Sequence, residues 1–425
     1  MLRSKCFCTC ATVALTARLR VAVAVLGAAS LVAGLAGPAY AQPAATTRAA
    51  VLSAGHDQGA VRRELQRALD DVVAAGASGM TLRVDDGRRS YRLASGQARL
   101  GSARSLRPAA RLRVGSITKT FVSTVTLQLV AERRLTLNDT VERWQPGLIP
   151  GGASITVRQL LNHTSGIFNY TDDQAFVQQL LSHPLRAVTP QQLVDVANAH
   201  PPVFPPGTSW SYSNTNYIVM GLILQRVTHR PVSTLLRQRI IWPLGLRHTY
   251  LPERSPDIRG YHAHGYLPPS ITGQGYVDFT RISPSLAWTA GALVSNVGDL
   301  RRFYRALLGG RLLRPAQLAQ MKDLVPVGDG LGYGLGLYSL PTPCGRIWGH
   351  DGGIPGYVTI AWNDESGRRG ITVGLPTLPD ERIGTAFNRL LEVATCRAMG
   401  QAPTVARPAA SGQVQDTWVR RVDGS

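Results

Sequence analysis

Apolar and polar positions follow two different periods along this chain. Between Asp57 and Ala75, Val61, Leu65, Ala68, Leu69 and Val72 recur at three- and four-residue steps, which predicts a helix with one apolar face. In the next stretch, "MTLRVDDGRRSYRLA", the pattern reads as two strands around an Asp-Asp-Gly turn. After Ser116 the segment "KTFVSTVTLQLVAERR" reads as a helix ended by "LTLNDTV". Residues 120 to 285 form helical patches broken by Pro and Gly loops, among them "TVRQLLNHTSGI", "PQQLVDVANAH" and "NYIVMGLILQRVT". "VGDLRRFYRALLGG" is another helix, with Gly309 and Gly310 at its end. The strand signal then returns: "YVTIAWN" and "RGITVGLP" flank "DESG" as a hairpin, and "ERIGTAFNRLLEVATCRAM" closes as a helix. With strands at both ends and helices between, the economical arrangement is one sheet built from the N- and C-terminal parts and covered by helices. A mainly helical domain, about 120–285, is inserted, and a pocket is expected where the two meet.

The start of the chain does not belong to that pattern. Arg18 and Arg20 precede the apolar run "VAVAVLGAASLVAGLAG", and "PAYA" ends at Ala41. A charged stretch, a short apolar run and a small-residue cleavage site predict a secretory signal peptide over residues 1–41; the alternative is an uncleaved anchor, for which the run is short. A flexible segment is expected over 42–56, a globular domain over 57–400, and a flexible Pro-, Ala- and Ser-rich tail over 401–425. With 44% hydrophobic and 17% charged residues, the composition fits a globular fold of this size.

Export changes the reading of charge and cysteine. The leader holds four of the cations and no acid, so the net charge of +20 falls only to +16. The arginines are scattered rather than clustered with aromatics, which argues for a solvated basic surface near anionic envelope polymers rather than for nucleic-acid binding. Cys344 and Cys396 alone remain beyond the leader. In an oxidising compartment an even pair predicts a disulfide from the segment before His350 to the C-terminal helix; two separate buried thiols are the alternative.

Candidate chemistry starts from a count. The chain has 43 Arg and three Lys, and one of those lysines, Lys119, stands three residues after Ser116 in "GSITK". If a helix begins at Ser116, the two share a face. A lysine amine whose pKa is lowered by burial or a neighbouring cation can take a serine proton, which arginine cannot do. A serine at a helix start also directs its backbone N–H at a reacting carbonyl. Alone, Ser-x-x-Lys also fits an N-cap followed by a surface lysine. Tyr212-Ser213-Asn214 adds a phenol able to shuttle protons and an amide able to hold a lysine and a substrate amide. His350-Asp351-Gly352-Gly353 adds a glycine-rich strand along which a substrate can lie, a histidine donor, and a second oxyanion N–H at Gly353. The usual zinc motifs are absent.

Together, Ser-x-x-Lys, Tyr-x-Asn and His-x-Gly resemble the penicillin-recognising serine hydrolases, in the variant that looks like class C β-lactamases and D-Ala-D-Ala carboxypeptidases. "FPPGTSWSYSNTNYIVMGLILQRVT", "RQLLNHTSGI", "AGALVSNVGDLRRF" and "GYGLGL" are similar to the same family, and the resemblance spans about residues 60 to 398. It implies an α+β fold of the β-lactamase/transpeptidase type: an antiparallel sheet flanked by helices, with the inserted helical domain. It also implies that Ser116 forms an acyl-enzyme, that Lys119 and Tyr212 manage the proton, that Asn214 orients Lys119 and substrate, and that the Ser116 and Gly353 amides bind the oxyanion. His350 takes the place of a lysine, and no cofactor or metal is implied. Phe168 and Trp288 are candidate pocket walls, with Asp351 and Gly352 beside the substrate, and Tyr333 reads as structural. The expected activity is that of a monomeric D-Ala-D-Ala carboxypeptidase acting on peptidoglycan-type peptides and acylated by β-lactams. The alternatives are an esterase or amidase, a β-lactamase, and a catalytically silent wall-binding protein. Two departures bear on substrate: Tyr338 follows Leu337 where some carboxypeptidases carry an arginine for the terminal carboxylate, and Asp351 adds a negative charge within His-x-Gly.

Overall fold

The apolar stripe of the first helix is buried as its spacing requires. A computed structural model describes residues 58–403; the expected leader, the segment 42–56 and nearly all of the tail lie outside the described residues. In α1 (Gln58–Ala74), Val61, Leu65, Leu69 and Val72 turn inward against Leu82, Val84, Ile360 and Val373 of a sheet. Among the described residues that sheet has eight strands: β1 (Gly79–Asp86), β2 (Ser90–Gly96), β3 (Val325–Gly328), β4 (Leu331–Tyr333), β5 (Tyr338–Thr342), β6 (Gly345–Ile354), β7 (Tyr357–Asn363) and β8 (Arg369–Leu375). Their order is β2-β1-β8-β7-β6-β5-β4-β3, antiparallel throughout. The N-terminal hairpin joins the C-terminal strands through β1 and β8, with Leu82 opposite Val373.

The C-terminal helix, Glu381–Met399, covers the same face as α1 through Ile383, Phe387, Leu390 and Leu391. The other face carries the helices that hold the site. Ile117–Ala131, here α2, is buried on nearly every side, including Thr118, Thr120, Ser123, Thr124 and Thr126. A helix with no solvent face needs partners for its hydroxyls, and Thr124 and Thr126 donate to the carbonyls of Thr120 and Val122 at 2.7 and 3.0 Å. Asn214–Thr228, α3, packs beside it, and Val297–Leu308, α4, lies against the sheet. There Arg301, 1% exposed, pairs with Asp85 of β1 at 2.8 Å and donates to Asn363 Oδ1 of β7 at 3.0 Å.

Strands β3, β4 and β5 carried no readable period. They are short and interrupted by Pro326, Gly328, Gly332 and Pro341, and the β3–β4 register shifts between Pro326 and Gly328. Cys344, between β5 and β6, faces Cys396 of the C-terminal helix with Cα atoms 5.1 Å apart, a separation a disulfide spans.

Candidate active site

Glycine builds the approach to Ser116. Gly115, at φ +52°, turns the chain from Val114 into Ser116 at the start of α2. A Cβ on Gly115 would fall 2.8 Å from the backbone N and O of Gly353, and one on Gly352 would fall 2.0 Å from the Val114 carbonyl oxygen. Only with both side chains missing can β6 come this close to the turn before Ser116. Thr359 of β7 fastens the approach by donating to the Val114 carbonyl at 2.9 Å. The Gly353 backbone is thus brought beside Gly115–Ser116, while the Ser116 N–H precedes the first hydrogen-bonded turn of α2. Strand β5 pairs with β6 only as far as Gly349 opposite Tyr338, so from His350 onward β6 has no strand partner on that side among the described residues.

Lys119 is fully buried one turn along. Its Nζ lies 2.9 Å from Ser116 Oγ, 2.7 Å from Asn214 Oδ1 and 2.7 Å from the Ala290 carbonyl oxygen. The last two are acceptors only. A neutral amine satisfies both with its two N–H bonds and leaves its lone pair facing the serine hydroxyl; a protonated one donates to all three. The geometry therefore allows the lysine to take and return the serine proton without moving. Asn214, the first residue of α3, is itself fixed: its Nδ2 donates to Thr171 Oγ1 at 3.0 Å and its backbone N–H to Asn169 Oδ1 at 2.9 Å. The bond to Thr171 uses one of the two N–H groups of that amide nitrogen, and Asn214 lines the cleft at Ser116. The Tyr212 ring packs 4.8 Å from Lys119 Nζ and, tilted by 36°, 4.3 Å from the ring of His163.

His350 was expected to donate to substrate or to Tyr212. It is 2% exposed, and both ring nitrogens are engaged inside the protein. A directed chain of hydrogen bonds explains its state. The Ser213 N–H donates to His163 Nδ1 at 3.2 Å, so the proton of His163 sits on Nε2, 3.2 Å from Tyr333 Oη. Tyr333 Oη donates to His350 Nε2 at 2.8 Å, and His350 Nδ1–H donates to the Asp351 carbonyl at 2.5 Å. Burial, with the Lys119 charge adding to it, holds His350 down to about 3 and His163 well below the ordinary imidazole range. Burial likewise raises the Tyr333 phenol far above its usual value. All three rings are neutral at physiological pH, as the chain of donors requires. Tyr333 and His163 carried no functional signal in the sequence beyond lying in family-like stretches.

The pocket walls differ from those expected. Phe168 stacks on His200 at 3.9 Å, and Trp288 packs on α3, where a Cβ on Gly221 would meet its ring at 2.7 Å. Neither lines the cleft at Ser116. That cleft is walled instead by Tyr170, Phe176, Leu180, Leu286, Ile354 and Pro355, with Asn214 and Gly353 at its catalytic end. Phe176 and Leu180 are spaced four apart on the helix Gln174–Ser182 and turn the same face inward. Ile282, also in the wall, is positioned by Arg113, whose buried guanidinium donates to the carbonyls of Thr280 and Ile282 at 3.0 and 3.2 Å. Gly352 packs closely on Val114 and is not among the residues that wall the cleft. The Asp351 carboxyl is 30% exposed, yet the protein crowded around it pushes it up to about 6, against the pull of Lys119. Tyr338 is buried with its hydroxyl accepting from the Trp362 indole at 2.7 Å, and Arg346 donates to Ser339 Oγ at 3.2 Å.

Comparison with known proteins places this geometry. The family profile described as Beta-lactamase matches residues 64–392. A penicillin-binding protein of Bacillus subtilis (strain 168) is 29% identical over 300 residues, 67% of this chain; the match spans 64% of that protein's length, a little less than two thirds. The crystal structure of a D-stereospecific amidohydrolase from Streptomyces sp. superposes with a TM-score of 0.72 at 39% identity, over 79% of this chain and 99% of that one. The D-amino acid amidase from Ochrobactrum anthropi SV3, complexed with D-phenylalanine, gives 0.69 at 28% identity, over 78% and 98%. With the serine–lysine pair at the head of a buried helix and a glycine strand drawn against it, the chain belongs to the Beta-lactamase family, as one of its serine hydrolases.

Proposed function

We propose that this protein is an exported serine amidohydrolase that forms an acyl-enzyme on Ser116 from D-configured aminoacyl amides with a large apolar side chain. The observation that carries the reading is the cleft itself: Phe176, Leu180, Leu286 and Ile354 surround Ser116, and no Arg or Lys lines it among the described residues. A carboxypeptidase must recognise a free terminal carboxylate, and here Tyr338 is buried and Arg346 bonds to Ser339. An amide or ester leaving group needs no such cation. The likeness to the Streptomyces amidohydrolase and the Ochrobactrum amidase supports a D-amide substrate.

In this mechanism Ser116 Oγ attacks the carbonyl carbon as Lys119 Nζ accepts its proton. The amides of Ser116 and Gly353 hold the oxyanion, and Tyr212 with Lys119 delivers the proton to the departing amine. Water then hydrolyses the ester. The leader is removed on export, and Cys344 and Cys396 form a disulfide in the oxidising compartment. Penicillins acylate the same serine.

The test measures kcat/KM for D-phenylalanine amide and for an N-acyl-D-Ala-D-Ala peptide, with Ser116→Ala as the blank. Faster release of ammonia from the amide, by about tenfold or more, is the expected result. Faster release of D-alanine from the peptide overturns the amidase reading in favour of the carboxypeptidase.

A further inference from the structure

A second cleft, about 670 Å3, lies in the region 233–259 and shares no lining residue with the cleft at Ser116. It begins at the helix Val232–Leu236, runs through Arg237–Ile241 and ends in the loop that reaches Arg259. Its floor is apolar, from Ile241, Leu246 and Leu251, each under 8% exposed. Its rim carries four arginines, Arg237, Arg247, Arg254 and Arg259, against one acid, Glu253.

The charges on this rim are unbalanced. Glu253 accepts from Ser233 Oγ, and among the described residues none of the four guanidiniums forms an ion pair with a carboxylate. Two of them rest on aromatic faces: Arg237 lies 5.1 Å from the Trp242 ring and Arg259 5.2 Å from that of Tyr250. Trp242 is 64% exposed, a large indole with most of its surface in water. Four like charges around one concavity repel one another and focus a positive potential into it, which an arriving anion relieves. Planar guanidinium forks match phosphate oxygens two at a time. An exposed indole beside them offers a flat apolar surface to the face of a sugar ring.

We propose that this cleft is a binding site for a phosphate-bearing glycan, in which the arginines hold the phosphate groups and Trp242 stacks on a sugar. An anionic polymer bound here tethers the enzyme without occupying the Ser116 cleft.

The test uses the full exported chain and phosphorylated dextran fragments, with unmodified dextran, inorganic polyphosphate and a single-stranded oligonucleotide as comparison probes. The phosphodextran is expected to bind and the neutral dextran not to. Arg247→Ser with Arg254→Ser should weaken phosphodextran about tenfold or more and flatten its dependence on salt, since fewer counterions are released. Trp242→Ala should weaken phosphodextran several-fold while leaving polyphosphate unchanged. Hydrolysis at Ser116 should stay at the wild-type rate in both variants, which also reports that they fold. Arg88→Ser with Arg92→Ser, which removes the same charge from the β1–β2 hairpin, serves as the control. Equal losses in that control overturn the site in favour of a diffuse basic surface. A Trp242→Ala effect equal on polyphosphate and phosphodextran overturns the sugar contact, and tighter binding of the oligonucleotide than of phosphodextran overturns the glycan assignment.

Discussion

His350 should make the fold acid-sensitive by an amount that can be isolated. Its imidazole is held at about 3 in the folded protein against an ordinary 6.5, because it is buried near Lys119. A base whose folded pKa lies below its unfolded value favours the fold in full above pH 6.5. That contribution is lost as the pH falls from 6.5 toward 3, where the unfolded chain takes up the proton and the folded one does not. At about pH 4.5, roughly two units into the window, the loss is about 3 kcal/mol at ~1.4 kcal/mol per unit. Asp351 acts in the opposite sense. Its raised carboxyl disfavours the folded state at neutral pH, and that penalty is relieved as the pH falls from about 6 to below 3.8. Asp351 is present in both proteins of a comparison between wild type and His350→Gln, so to first order it cancels. Urea unfolding followed by tryptophan fluorescence at pH 7.5 and 4.5 gives the four free energies. The wild type should lose about 3 kcal/mol more than His350→Gln over that interval. If the difference between the two proteins stays the same at both pH values, His350 is not the neutral, hydrogen-bonded imidazole described above.

Three other substitutions bear on the same architecture. Lys119→Arg keeps a cation but removes the proton acceptor, and acylation measured by intact mass after a penicillin pulse should slow at least about 100-fold, the scale of a lost general base. Gly352→Ala places a Cβ 2.0 Å from the Val114 oxygen; it should lower the unfolding free energy by about 1–3 kcal/mol in urea titration and depress kcat far more than KM, because β6 must retreat from Ser116. Asp85→Asn leaves Arg301 buried with its ion pair broken and should cost about 3–5 kcal/mol, read by the same titration, with kcat in the surviving folded fraction unchanged.

The elements that proved legible carry their information locally. Helical spacing in α1 and α3, the turn at Asp85-Asp86-Gly87 and the hairpin at "DESG" each span fewer than about twenty residues, and each forms where its pattern lies. Ser116 and Lys119 are three residues apart, so one turn of helix brings them together. The hydrogen-bonded chain Ser213–His163–Tyr333–His350 draws on four separated segments, one of them a short strand without a readable period, and no local spacing announces it. Phe168 and Trp288 misled for a related reason: a large aromatic in a family-like stretch can pack on His200 or α3 as readily as on the cleft, and only the tertiary arrangement decides. Phe176 and Leu180 went unread, although a four-residue apolar step on a short helix marks its inward face.

The contact between Gly115 and Gly353 joins parts of the chain more than two hundred residues apart, and β1 cannot complete its pairing until β8 arrives. Long loops of this kind close late in folding, because the entropy of closure is spent before the contacts form. Ser116 is therefore made early in synthesis and its surroundings are completed late. A chain of which only the first half has formed holds Ser116 and Lys119 without the Gly353 backbone beside them. Catalytic competence begins only when the C-terminal strands have docked, so activity is itself a report that the sheet has closed from its first strand to its last.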